Sequence, residues 1–241
     1  MKDSNPFKFS TRVIGYPLLF VLLIWMVFWV EIRFGLDFNY LGIRPREIVG
    51  LRGVLLSPFI HADIKHLFNN SIPLLILSMA LFYFYRELSW KILIYGILLT
   101  GILTWLIGRP ANHIGASGLI YLLASFLFFK GIFSKFYRLM ALSFIVVFSY
   151  GGMMWFVMPV DPSISWEGHL SGFVVGLIFS FIYKKEIVEP PKYEWEQPDY
   201  SEENDLFMQH FDADGNFVER KEEPEYQEPD YHYIFKKSEE E

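Results

Sequence analysis

The chain contains no cysteine. That excludes a disulfide framework, a thiolate nucleophile and any zinc site built on Cys ligands. Charge is sparse through the first three quarters, where residues 1–185 hold eight Asp/Glu against sixteen Lys/Arg. Residues 186–241 reverse the balance, with five Lys/Arg and nineteen Asp/Glu. The net charge of −6 therefore hides a basic part of +8 and an acidic part of −14. Internal repeats and broken helices, the marks of a small-solute transporter, are not evident.

What is present is apolar. Of 241 residues, 53% are hydrophobic and 19% aromatic, and mean hydropathy is positive. Soluble domains of this length seldom reach those values, so the composition predicts an integral membrane protein. Six apolar segments approach the roughly 17–25 residues a bilayer requires. They run from about Val13 to Val30, Leu67 to Tyr85, Ile92 to Ile107, Ser117 to Phe133, Leu139 to Met158 and His169 to Tyr183. The first is too long for a signal peptide and lacks a small-residue cleavage site.

Basic residues in the short connections set the expected orientation. Lys2, Lys8 and Arg12 precede the first segment, and Arg86 and Lys91 join the second to the third. Lys130, Lys135 and Arg138 surround the turn between the fourth and fifth, and Lys184 and Lys185 follow the sixth. The connection 159–168 has no Lys or Arg, and 108–116 has only Arg109. Both termini are therefore expected on the cytoplasmic side of the cell membrane. The first outside loop, about 31–66, is the exception, with Arg33, Arg44, Arg46, Arg52 and Lys65. Within it Ile48 to Ile60, interrupted by Gly50, Gly53 and Pro58, is too short to span and reads as an interfacial helix. The division expected is a cytoplasmic N-terminus over 1–12, a membrane domain over 13–185 and an acidic cytoplasmic tail over 186–241. The tail has no apolar period and five prolines, which predicts disorder. Asp212-Ala213-Asp214-Gly215 lacks the glycine position and flanking helices of a calcium loop.

Polar residues at the mouths of the apolar segments carry the functional signal, because lipid offers them no hydrogen-bond partner. A serine at a helix start is ordinarily a cap. Ser117, however, lies between Gly115 and Gly118, which admit a close-approaching backbone. The helix start also leaves free N–H groups where an oxyanion would form. His169 opens the sixth segment, with Gly172 and Gly176 on nearly the same face, a spacing that permits close helix contact. His66 and Asn70 share one face at the start of the second segment, and Tyr121 lies one turn beyond Ser117. With six spans and cytoplasmic termini, the second, fourth and sixth segments all begin on the outer side. His66, Asn70, Ser117 and His169 then lie at similar depth. In that arrangement His169 takes the Ser117 proton and returns it to the leaving amine. His66, Asn70 and the Ser117 backbone N–H face the oxyanion. No acid lies in the fourth or sixth segment, so the expectation is a dyad, with Tyr121 stacked on the imidazole. His61 and His113 are secondary cavity residues, and His210 and His232 fall in the tail. Arg44 and Arg46, flanking Pro45, read as loop-organising residues.

Three motifs in order, His66-Leu67-Phe68-Asn69-Asn70, Gly115-Ala116-Ser117-Gly118-Leu119-Ile120-Tyr121 and Gly168-His169-Leu170-Ser171-Gly172 continuing to Gly176, resemble the rhomboid family of intramembrane serine proteases. The resemblance covers roughly 13–185. It implies an all-α, six-helix membrane bundle around a water-filled cavity, cutting single-span membrane helices with Ser117 as nucleophile and His169 as base. It further implies an oxyanion site at His66 and Asn70, Tyr121 packed on the histidine, and a structural place for His61. Gly115, Gly118, Gly172 and Gly176 are the expected close-packing glycines. Neither metal nor cofactor is called for; the partners are transmembrane substrates and the bilayer, not nucleic acid. Well-studied members carry a Trp-Arg pair in the first outside loop, where this chain has Leu51-Arg52. The alternative is an inactive relative that binds membrane helices for quality control or trafficking, which would have no need of both Ser117 and His169.

Overall fold

The computed structural model describes residues 9–134, 137–162, 164–183, 193–212 and 214–218. Lys2, Lys8, Lys135, Lys184, Lys185 and His232, like the rest of 186–192 and 219–241, lie outside them. The chain divides into two units, Met1–Pro190 and Pro191–Glu241. The first holds seven α-helices and, among the described residues, no strand. They are α1 (Thr11–Phe34), α2 (Gly53–Leu56), α3 (Ile64–Phe84), α4 (Ser89–Ile107), α5 (Ser117–Phe133), α6 (Tyr137–Tyr150) and α7 (Trp166–Ile182). By length and composition α1, α3 and α4 can each cross a bilayer, while α5, α6 and α7 are apolar but shorter.

The exposed faces are apolar as well. Leu19, Leu22, Met26 and Trp29 of α1 and Phe144 and Ile145 of α6 are exposed, and Phe148 is 94% exposed. A soluble fold would cover so large an apolar surface, so these faces meet lipid, and the chain is a membrane protein. Inside, α5 supplies the centre through Ile120, Leu123, Phe126 and Leu127. Leu67, Leu74, Leu77 and Leu81 of α3, Ile24 of α1 and Phe179 of α7 pack around them. Without water, hydroxyls in these helices turn back on carbonyls one turn earlier. Ser71 donates to Leu67 O, Ser89 to Tyr85 O, Thr104 to Thr100 O and Ser171 to Glu167 O. Others join helices: Trp25 Nε1 donates to Ser71 Oγ at 2.9 Å, and Ser125 to Phe173 O at 2.8 Å. The fully buried Lys130 donates through Nζ to the Tyr183 carbonyl beyond the end of α7. This places a cation on a helix C-terminus.

α5 and α7 are brought together by small residues. A methyl at Gly172 would overlap the Gly118 carbonyl oxygen, and one at Gly176 the Leu122 carbonyl oxygen. The stretch 48–59 is a short helical run that passes from 3₁₀ to α at Gly53 and back to 3₁₀ at Ser57. It exposes Ile48 (86%), Leu51 and Leu55. Arg52 donates to Tyr40 O at 2.8 Å and lies over the Tyr40 ring, tying this loop to itself. Arg46 donates to Gly108 O at 2.8 Å, capping α4, and Arg44 Nε to Asn112 Oδ1 at 2.9 Å.

Several segment ends differ from the sequence reading: α1 runs on to Phe34, and α3 and α4 each begin three residues earlier than expected. Two further differences bear on the site. The helix expected from Leu139 to Met158 stops at Tyr150, and a 3₁₀ helix covers Gly151–Val157. The Gly151-Gly152 pair accounts for the break, since each glycine costs a helix interior about 1 kcal/mol relative to alanine. α7 begins at Trp166, three residues before His169, because Ser165 caps it by accepting the Gly168 N–H at 3.3 Å. An acid, Glu167, therefore stands in the first turn of α7, contrary to the expectation of none.

The second unit is described only as 3₁₀ turns at Glu194–Glu196 and Met208–His210 with a bridge between Phe211 and Phe217. His210 stacks on Phe217 there. Asp212 accepts the Asp214 and Asn216 backbone N–H groups, closing a local turn.

Candidate active site

α3, α5 and α7 begin near one another, and their first turns line a cavity of about 950 Å³. Ser117 is the first residue of α5, and His169 the fourth of α7. Ser117 Oγ lies 2.9 Å from His169 Nε2. The other ring nitrogen, Nδ1, lies 2.9 Å from the Phe156 carbonyl oxygen. A carbonyl only accepts, so the neutral ring carries its proton on Nδ1 and offers the Nε2 lone pair to the serine hydroxyl. That is the tautomer a general base needs. The imidazole is buried and stacks on Tyr121, with ring centroids 4.2 Å apart and planes 14° apart.

Nothing in the sequence points to Phe156. A main-chain acceptor has no residue-type signature, and the 3₁₀ turn presenting it lies in an apolar run that hydropathy alone assigns to a helix. Glu167, the nearest acid in sequence, is directed at Arg109 instead: Oε1 accepts the Arg109 backbone N–H at 3.0 Å.

Opposite the dyad stand His66 and Asn70. Asp63 caps α3 by accepting the His66 backbone N–H at 2.8 Å, which fixes the first turn. Gly115 adopts φ +102°, and a methyl there would lie 2.7 Å from His66 Nε2 and 3.3 Å from Asn70 Nδ2. Gly115 thus makes room for these two side chains of α3. Gly118, Gly172 and Gly176 lie at the α5–α7 contact. Asn70 Nδ2 is buried without a hydrogen-bond partner among the described residues. A buried donor left unpaired costs about 1–3 kcal/mol, and here it faces the cavity that holds Ser117.

His113 is buried too, its ring bonded to Ser165 and to the Arg109 carbonyl. His61 packs edge-on against His66 at 5.0 Å, and neither ring nitrogen has a hydrogen bond of good geometry among the described residues. Burial, and then the neighbouring His66, push its pKa down to about 4. The unfolded chain, with an ordinary histidine near 6.5, binds this proton first. Stability is then complete above pH 6.5 and is lost as pH falls from 6.5 toward 4, by up to about 3 kcal/mol. Thermal unfolding in micelles across that range is expected to show the slope, and His61→Phe to flatten it. An identical slope in the variant would remove His61 as its source.

Among the described residues, an all-helical, lipid-facing bundle with a serine–histidine pair at a cavity defines a class, helical membrane proteins with a polar site at one end. A family model described as the rhomboid domain matches residues 50–186. Uncharacterized proteins of Mycobacterium tuberculosis and Mycobacterium bovis are each 39% identical over 181 residues, covering 68% of this chain and 72% of theirs. One of Mycobacterium leprae is 34% identical over 183 residues, covering 68% of this chain and 69% of its own. The chain belongs to the rhomboid family, whose members are usually intramembrane serine proteases.

Proposed function

We infer that the chain is an intramembrane serine endopeptidase that cuts transmembrane helices of other membrane proteins. The observation that carries this reading is the 2.9 Å contact between Ser117 Oγ and His169 Nε2, with Nδ1 held on the Phe156 carbonyl. His169 Nε2 accepts the Ser117 proton as the hydroxyl oxygen bonds to the scissile carbonyl carbon. The negative charge on the carbonyl oxygen is met by Asn70 Nδ2, the Ser117 backbone N–H and His66. Collapse breaks the C–N bond; the His169 proton goes to the leaving amine and the acyl group stays on Ser117. Water entering through the cavity gives a proton to His169 and attacks the acyl carbon, and Ser117 leaves with that proton. The cycle needs neither metal nor cofactor. Tyr121 keeps the ring in plane throughout by stacking. A peptide bond inside an α-helix must unwind to reach the serine, so substrates with helix-breaking residues near the cut are favoured.

In this reading α1 and α3–α7 are six spans, both termini are cytoplasmic, and the host bilayer is the cell membrane. Terminal tags should be digested by external protease in inside-out vesicles and spared in right-side-out ones; the opposite pattern inverts the topology. The reaction is tested by a fluorophosphonate probe, with the adduct located by mass spectrometry. One adduct, on Ser117, is expected; an adduct elsewhere, or none on folded protein, removes the reading. Asn70→Ala is expected to lower turnover about 10²–10³-fold, the usual cost of one oxyanion donor, while the probe still labels Ser117. Turnover unchanged in that variant would take Asn70 out of the oxyanion site.

A further inference from the structure

Four side chains outside the chemistry above tie the approach to Ser117 to the start of α7. Arg109 and His113 lie eight and four residues before the serine, and Ser165 and Glu167 four and two before His169. Besides the bond from its backbone N–H to Glu167, Arg109 reaches the Pro162 and Ile164 carbonyls through Nη2 at 2.8 and 2.7 Å. Glu167 is 1% exposed, and its second oxygen lies 3.6 Å from Arg109 Nη1 with no hydrogen-bond partner among the described residues. A carboxylate that deeply desolvated persists only beside a compensating charge, so removing either member of the pair is costly. The Arg109 carbonyl occupies His113 Nε2 at 3.0 Å, which makes Nδ1 an acceptor for the Ser165 hydroxyl at 2.6 Å. That same hydroxyl caps α7. From the other side, His113 and Ile43 exchange both backbone hydrogen bonds at 2.9 Å.

We propose that Arg109 with Glu167, and His113 with Ser165, form a clamp that holds Ser117 Oγ within hydrogen-bonding reach of His169 Nε2. The four are positioning residues, and the inference rests on the Ser117–His169 chemistry proposed above. The glycine contact between α5 and α7 sets how far apart the two helix axes lie. Sliding of one helix along the other is resisted deeper in the bundle by the Ser125 bond to Phe173 O, but that bond lies about two turns below Ser117. The clamp joins the segments just ahead of the two reacting groups and so fixes that sliding coordinate. A slip of about 1 Å would misalign the 2.9 Å contact, and a misplacement of that size costs about 10²-fold in rate.

The test uses the full chain in vesicles, with kcat and KM measured on a transmembrane model substrate and unfolding followed separately. Glu167→Ala is expected to lower kcat about 10–100-fold well below its unfolding temperature, with KM within about twofold. Glu167→Gln keeps an oxygen for the Arg109 N–H and is expected to recover kcat to within about threefold of the unaltered chain. His113→Ala, Ser165→Ala and the double variant are expected to lose the same factor, since each removes one shared bond. Should Glu167→Ala fail to fold, the His113 and Ser165 variants decide the matter. Unchanged kcat in folded variants, an effect on KM alone, or additive losses in the double variant would overturn the clamp. Cleavage surviving in Ser117→Ala would instead strike the chemistry beneath it, so the two failures read differently.

Discussion

Ser117→Ala is expected to reduce cleavage of a reconstituted transmembrane substrate to background and to abolish fluorophosphonate labelling, with folding and insertion unchanged. His169→Ala should match it in cleavage, because the pair acts as a unit and the loss of either member removes most of the benefit of both. In a soluble serine protease such losses reach about 10⁶-fold. A fall of at least about 10³-fold is the minimum consistent with the proposed roles. The two changes are small in volume and sit at a polar cavity, Ser117 half-buried and His169 against Tyr121, so the helices have no reason to repack. Cleavage by either folded variant above about a thousandth of the unaltered rate would assign the nucleophile or the base elsewhere.

The second large effect is expected at a glycine that takes no part in the chemistry. Gly172→Val places methyl groups where the Gly118 carbonyl stands, and a carbonyl oxygen on a helix cannot yield without the helix. α5 and α7 must separate. Ser117 and Gly118 are neighbours on α5, and His169 lies one turn from Gly172 on α7, so the separation falls directly on the 2.9 Å contact. Turnover is expected to drop by about 10²-fold or more, and stability by about 1–3 kcal/mol, the usual cost of overpacking. Gly15→Ala is the control. A methyl at Gly15 meets nothing within 4 Å, so a neutral result is expected. Full turnover in folded Gly172→Val would show that the α5–α7 contact does not govern the dyad.

Much of this arrangement was legible before any coordinates. Gly172 and Gly176, four apart at the start of an apolar segment, signalled a close helix contact, and the order of the segments put Ser117 and His169 at one end of the bundle. α5 runs over Ser117–Phe133, the bounds its sequence suggests, because Gly115 and the polar loop before it give a sharp start. What stayed hidden depended on distant backbone. The end of α6 at Tyr150 turns on a glycine pair inside an otherwise apolar run, which hydropathy alone reads straight through. Glu167 looked like part of a connection because the capping role of Ser165 was not recognised, and so the ion pair with Arg109, fifty-eight residues away, had no sequence trace. His113 is legible as a residue of the cavity, but its bond to Ser165 has no sequence trace for the same reason.

The hydrogen bond from His169 Nδ1 to the Phe156 carbonyl has a consequence for how this site tolerates change. Every amino acid brings the same oxygen to position 156, so a scan of side chains will pass over it in silence. What the imidazole reads is the course of the chain through Gly151–Val157. Inserting or deleting one residue there would turn the oxygen away and leave every other group of the site in its place.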